Sequence, residues 1–209
     1  MINSGNKVQK KMLLNDWMFK SDFEGSSGVE YLSYLLFSEL NFSSTLQVPA
    51  VKVGYYEGMK GSFHKWVENV SESWDFFERN WEDNIHCWQL LPDWRRAYTD
   101  LLFFDTLLGN CDRHEGNLLI SFMSGLPEKV FLIDHGYCSG RDTWEGFIAR
   151  IRLIRRAYPV DRERVERNLT ALSELRKEGL QRLLSNIPSE FQKGWFIKEF
   201  IKFLNLVLL

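Results

Sequence analysis

The pattern of apolar and polar positions divides the chain into a part rich in short runs and a part rich in long helical periods. Residues 8–14 and 17–20 read as two strands, and Asn15-Asp16 between them is a turn pair. Residues 21–28 form a polar loop carrying Gly and Ser. Residues 29–40 (VEYLSYLLFSEL) then read as a helix with Glu30 in its first turn. Residues 46–54 and 61–70 read as further strands around the turn Glu57-Gly58-Met59-Lys60. Residues 71–83 (SESWDFFERNWED) are acidic and aromatic, the pattern of a solvated helix face with Trp74, Phe77 and Trp81 packed inward.

The second part is dominated by helices. Residues 98–108 (YTDLLFFDTLL) are apolar at near-helical spacing, and Gly109-Asn110 ends them because both residues tolerate the left-handed conformation that follows a helix. Residues 118–122 read as a strand, 124–127 (SGLP) as a turn and 130–133 as the returning strand. Residues 144–158 read as a helix stopped by Pro159, followed by helices over 161–175 and 178–184. Residues 187–191 open a last helix that runs to Leu209. Arg150, Arg152, Arg155 and Arg156 read as a solvated face paired with Glu163, Glu166 and Glu174, with recognition of an acidic or phosphorylated partner as the second reading. The pattern as a whole is that of an α+β chain.

Composition narrows the class. At 209 residues and 44% hydrophobic content the chain can bury a sizeable core, as one domain of two lobes. A formal net charge of -2 argues against a general nucleic-acid binder. Cys87, Cys111 and Cys138 are an odd number without metal-ligand spacing and read as free thiols in a reducing compartment. Cys111, beside Asp112, reads as a small buried space-filler. The N-terminus has no apolar signal segment and no run is long enough to span a bilayer, so a cytoplasmic protein without stable membrane association is expected.

The chemistry concentrates in Gly109-Asn110-Cys111-Asp112-Arg113-His114-Glu115-Gly116-Asn117 and Phe131-Leu132-Ile133-Asp134-His135-Gly136. Asp112 and Asn117 share one tight loop, and a short hairpin brings Asp134 back beside Asn117. Two oxygen ligands at the base of a cleft suit Mg²⁺, which takes few protein ligands and keeps several waters. An acid free to meet an acceptor hydroxyl completes the set that ATP-dependent phosphoryl transfer needs. His114 and His135 read as packed loop organisers, and Arg113 as pairing with a nearby acid.

DRHEGN followed by LIDHG resembles the catalytic and metal-binding loops of the HipA-like kinases, bacterial serine/threonine kinases related in fold to the phosphatidylinositol kinases. The resemblance implies a two-lobed protein-kinase-like fold, with a small β-rich lobe bearing one helix (1–70) and a larger, mostly helical lobe (71–209). It implies Asp112 as catalytic base and Asn117 and Asp134 as metal ligands, with ATP and Mg²⁺ as cofactors. Lys20, at the end of WMFK, resembles the family's phosphate-binding lysine, and Glu30 resembles the helix glutamate that positions it. The segment 66–70 then takes the place of the hinge, with residues 68–70 as the backbone that reads adenine. A protein substrate is implied, and a cognate regulator or antitoxin as partner. A lipid or small-molecule kinase, or a catalytically weak pseudokinase acting as a binding module, are the alternatives.

The chain departs from the family in its phosphate loop. Only Ser4-Gly5-Asn6-Lys7 lies in that position, and there is no room for the family's additional N-terminal subdomain. Ser4, Ser26 and Ser27 are the autophosphorylation candidates by position.

Overall fold

The computed structural model describes residues 11–72, 76, 84–110, 112–136, 138 and 144–207. The loop at residues 4–7, Trp74, Phe77, Trp81, Cys111 and the last two leucines, all singled out from the sequence, lie outside the described residues. Two four-stranded sheets and six α-helices make up the described architecture. The first sheet joins β1 (Lys11–Leu14), β2 (Trp17–Ser21), β4 (Val51–Tyr56) and β5 (Met59–Lys65) in the order β1-β2-β5-β4, all antiparallel. The second joins β3 (Leu46–Gln47), β6 (Val70–Glu72), β7 (Leu118–Met123) and β8 (Leu126–Leu132) in the order β3-β8-β7-β6. Only β3 and β8 run parallel there. β3 lies early in the chain yet pairs with the late hairpin, so the second sheet draws on both halves of the sequence.

The helix α1 (Ser26–Glu39) sits between the sheets in sequence and begins three residues before the apolar run that announced it. Its start is held by side chains and by tertiary contact. Ser26 Oγ accepts from the Phe23 N–H at 3.0 Å, and Asp22 Oδ1 accepts from the Ser27 N–H at 2.9 Å. At Gly28 an added Cβ would stand 2.2 Å from the Phe191 carbonyl oxygen, so the chain passes too close there for any side chain. Glu30 therefore stands in the second turn, not the first, and complementing the helix dipole is not its task. Ser26 and Ser27 are buried in the helix start and are not surface serines.

α2 (Ile85–Trp88) and α3 (Trp94–Leu108) lead to the motif loop, and β7 and β8 follow it as a hairpin. Its turn uses Ser124 at φ 53 and Gly125 at φ 79, the left-handed pair that matches the twist of adjoining strands. β8 begins at Leu126, earlier than the turn signal SGLP suggested, because Pro127 sits opposite Phe122 at a register shift where no ladder N–H is required. After α4 (Trp144–Ile154), the two expected helices are one, α5 (Arg162–Ser185), capped by Asp161 Oδ1 accepting from the Arg164 N–H at 3.1 Å. α6 (Trp195–Val207) closes the described chain.

One contiguous core joins Leu32 and Leu36 of α1, Phe103, Phe104 and Leu107 of α3, Ile120 and Val130 of the second sheet, Phe147 of α4 and Phe200 and Phe203 of α6. Asp100 of α3 is fully buried and ties three segments together. It takes two bonds from Arg164 (2.8 and 2.8 Å), one from Asn168 (2.7 Å) and one from the Ser43 N–H (2.7 Å). The arginine face forms one of its expected pairs, Arg155 with Glu166 at 2.7 Å, while Glu163 pairs with Arg167 at 3.5 Å. Cys87 and Cys138 are buried and not in disulfides. Among the described residues no helix is long and apolar enough to cross a membrane.

Candidate active site

The site is assembled around the end of α3. Gly109 takes φ 59, the left-handed conformation that ends the helix, and the Asn110 N–H returns to the Asp105 carbonyl at 2.8 Å. From there the loop is a lattice of short-range bonds. Asn110 Oδ1 accepts from the Asp112 N–H (3.0 Å), and Asn110 Nδ2 donates to Asp105 Oδ1 (2.9 Å). His114 Nδ1 accepts from the Gly116 N–H at 3.1 Å, the loop-organising part expected of it. Asn117 Nδ2 donates to the Asp112 carbonyl at 2.9 Å, so the two motif ends are joined directly.

Arg113 is the centre of this lattice. Its guanidinium grips Asp105 with two bonds of 2.9 Å and donates through its remaining nitrogen to the carbonyls of Asn117 (2.9 Å) and Ile133 (3.0 Å). Burial alone would lower its pKa, but Asp105 outweighs that and holds it above the ordinary arginine value. The acid expected beside Arg113 is thus Asp105, a charged residue inside the apolar run FFDTLL of α3. That placement was its only signal in the sequence.

The β7–β8 ladder then sets the second motif beside the first. Leu118 pairs with Leu132, and the Ile133 N–H donates to the Asn117 carbonyl at 3.1 Å, which places Asp134 next to Asn117. Asp134 itself is left-handed, at φ 61. From the first sheet, Lys20 of β2 reaches across and bonds Asp134 Oδ1 at 2.7 Å and Glu30 Oε1 at 2.9 Å. Glu30 accepts on its other oxygen from the His135 N–H at 3.0 Å. Lys20, Glu30 and Asp134, more than a hundred residues apart at the extremes, are therefore in direct contact. Asn117 joins them through the ladder. Asp112, bonded to Asn117 through its carbonyl, is exposed.

The electrostatics follow from burial and pairing. Burial pushes the Lys20 ammonium down, but the Glu30 and Asp134 carboxylates outweigh it and hold the pKa above the ordinary lysine range. Burial likewise raises the Glu30 carboxyl, and the neighbouring Lys20 ammonium, with His64 and His135, reverses this and keeps it well below the usual carboxylate range. His64 of β5 is buried, shares a 2.9 Å hydrogen bond with Ser62, and is pushed down to about 4 chiefly by burial. His64 has no signal of its own in the sequence, where it reads as one polar residue in a strand.

A cavity of ≈ 450 Å³ opens at this cluster. Met18, Val48, Val51, Leu119 and Leu132 make an apolar slot, and Lys20, Glu30, His64, Asp134 and His135 make its polar end. Trp66 and Val67 of the connection between β5 and β6, with Val70 at the start of β6, line a further wall; of the expected adenine-reading residues 68–70, Val70 is the one among them. A slot of this size with a few convergent polar groups is the usual form of a small-molecule site. Among the described residues no cluster of three or more His, Cys, Asp or Glu forms a metal cage. Of the two expected metal ligands, Asp134 lines the cavity, while Asn117 is buried and is not among the lining residues. Lys20, Glu30 and Asp134 carry one ammonium against two carboxylates, a net negative charge. Hard oxygen donors in small number and a negative surplus fit Mg²⁺ bound jointly with phosphates.

Comparisons with known proteins agree with this geometry. A family model, phosphatidylinositol 3- and 4-kinase, matches residues 13–163. No curated protein matches the sequence. Among solved structures the chain is similar to HipA of Shewanella oneidensis MR-1, from a toxin–antitoxin complex of HipA, HipB and operator DNA, with a TM-score of 0.68 at 13% identity. That match covers 99% of this chain but 64% of the other, so the chain spans less than two thirds of that relative's length. It is also similar to CtkA, a Helicobacter pylori proinflammatory kinase, with a TM-score of 0.56 at 15% identity, covering 99% of this chain and 88% of that one. At these identities the structural likeness is one of fold. The family model extends over most of the chain, through both motifs: the chain belongs to the phosphatidylinositol 3- and 4-kinase family and has the fold of the HipA-like kinases.

Proposed function

We propose that this chain is an ATP- and Mg²⁺-dependent phosphotransferase of the HipA-like type, acting on serine or threonine of a protein. The observation that carries the reading is the convergence of Lys20, Glu30 and Asp134, from three separate elements, at the polar end of an apolar slot. In this reading the slot takes the base, with Trp66, Val67 and Val70 beside it, and Lys20 binds phosphate oxygens while Glu30 keeps its ammonium in place. Asn117 and Asp134 hold Mg²⁺, which supplies charge neutralisation on the phosphates when bound. Asp112 is exposed and orients the acceptor hydroxyl, taking its proton as the hydroxyl oxygen bonds the γ-phosphorus and the bond from that phosphorus to the β-phosphate oxygen breaks, with ADP as the leaving group. The loop lattice around Arg113 fixes Asp112 and Asn117 relative to each other, and positioning is most of what phosphoryl transfer asks of a protein.

The match to a phosphatidylinositol kinase model favours a second reading in which the acceptor is a lipid headgroup. A cytoplasmic setting and a cognate regulator, by analogy with the HipB that accompanies HipA, belong to the first reading. Transfer of label from γ-labelled ATP to casein, to the chain itself and to phosphatidylinositol vesicles decides between them. Asp112→Asn is expected to lower turnover about 10²- to 10⁴-fold with ATP binding kept. Undiminished turnover in that variant contradicts the role given to Asp112.

A further inference from the structure

The loop that carries Asp134 is held from its far side by Glu30. Asp134 adopts φ 61, a conformation that aspartate visits but does not favour. The next N–H along the chain, that of His135, donates to Glu30 Oε2 at 3.0 Å, and the His135 ring nitrogen Nδ1 faces the same oxygen at 3.6 Å. The other carboxylate oxygen belongs to Lys20. Gly136 brings the loop flat against α1: an added Cβ there would stand 3.2 Å from Ser26 Cβ and 3.4 Å from Glu30 Oε1.

An imidazole at residue 135 carries a penalty. The ring is 1% exposed and packs edge-on against Phe104 at 5.7 Å between centroids. Its Nε2 is buried with no hydrogen-bond partner among the described residues. A phenyl ring would fill the same space against Phe104 without stranding a nitrogen. What histidine adds is a polar ring edge turned to the Glu30 carboxylate.

We propose that His135 is a positioning residue for Asp134: its backbone N–H and imidazole together seat the Asp134–His135 peptide on Glu30, holding the Asp134 carboxylate ready for a divalent cation. This rests on the reading of Asp134 as a metal ligand. Two substitutions separate the polar contact from the packing. His135→Asn places an amide nitrogen near the position of Nδ1 and gives up most of the ring. His135→Phe keeps the ring and its contact with Phe104 and loses the polar edge. The readout is calorimetric binding of ATP as a function of Mg²⁺ concentration.

His135→Phe is expected to raise the Mg²⁺ needed for half-maximal binding about 10- to 100-fold, the usual effect of removing a group that orients a metal ligand. His135→Asn is expected to retain most of the wild-type Mg²⁺ affinity. A phenylalanine variant that behaves as wild type, or an asparagine variant worse than the phenylalanine one, overturns the proposal. Amide hydrogen exchange at residue 135 in metal-free protein separates this failure from failure of the metal reading. Slow exchange in wild type and His135→Asn, with faster exchange in His135→Phe, supports the seating even if the wild type binds no Mg²⁺–ATP. Equal exchange in all three overturns it.

Discussion

Replacing Arg113 by Met should destabilise the loop of residues 109–117 and the fold around it. The guanidinium makes four hydrogen bonds, two of 2.9 Å to the Asp105 carboxylate and one each to the carbonyls of Asn117 and Ile133. The ion-pairing side chains are 4% and 11% exposed, so water cannot take over. Removing one partner of such a pair leaves an uncompensated buried charge and costs about 3–5 kcal/mol. Asn110 Nδ2 remains on Asp105 Oδ1 and softens the loss, which sets the expectation at the lower end. With a urea dependence of about 2 kcal/mol per molar, the unfolding midpoint should fall by roughly 1.5–2 M. Tryptophan fluorescence can follow this, since the chain has 8 Trp. The double variant Arg113→Met with Asp105→Leu removes both charges and should be more stable than Arg113→Met alone, although the Ile133 carbonyl loses its guanidinium donor while that of Asn117 keeps the Ile133 N–H. A midpoint shift under about 0.5 M for Arg113→Met, or a double variant less stable than the single one, would refute the argument, because an exposed pair is worth only about 0–1 kcal/mol.

The remaining expectations concern pH and packing. His64 has a folded-state pKa of about 4 against an ordinary 6.5, so between those values the unfolded chain binds a proton that the folded chain does not. Its contribution is intact above pH 6.5 and declines as pH falls toward 4, by an amount on the order of 3 kcal/mol. Glu30, Lys20, Asp134 and His135 all act on this imidazole, and Glu30, itself held below its ordinary 4.5, begins to lose its own contribution as pH falls below that value, at the foot of the same window. His64→Gln should flatten chemical-denaturation stability between pH 6.5 and 4, and an unchanged slope would contradict the burial argument. Gly28→Ala should lower the thermal midpoint despite alanine's better helix propensity, because its Cβ would meet the Phe191 carbonyl at 2.2 Å. A rise in midpoint would show that the segment around Phe191 gives way.

The motif loop was legible because its signals are local. Gly109 ends α3 where the apolar run ends, and Asn110 and Asn117 organise bonds within a few residues of themselves. The order helix, loop, strand, turn, strand then fixes Asp134 beside Asn117 whatever the rest of the chain does. Boundaries set by distant contacts were not legible. The first turn of α1 is shaped by Phe191, more than 160 residues away, and β8 keeps Pro127 because of a bulge that no dipeptide rule announces. The break expected at residues 176–177 is absent, so one helix stands where two were expected. The bond between Glu30 and the His135 N–H spans 105 residues and involves a backbone donor, so residue types alone gave no trace of it. The same holds for Asp100, whose three partners besides its own helix come from a loop and from α5.

The central claim is that Lys20, Glu30, Asn117 and Asp134 form one nucleotide and Mg²⁺ site. Calorimetric titration of ATP into the chain, with and without Mg²⁺, for the wild type and Asp134→Asn tests it most directly. The account predicts binding that needs Mg²⁺ in the wild type and loses that dependence in Asp134→Asn. Wild-type binding indifferent to Mg²⁺, or Asp134→Asn binding that keeps the full Mg²⁺ dependence, would contradict it.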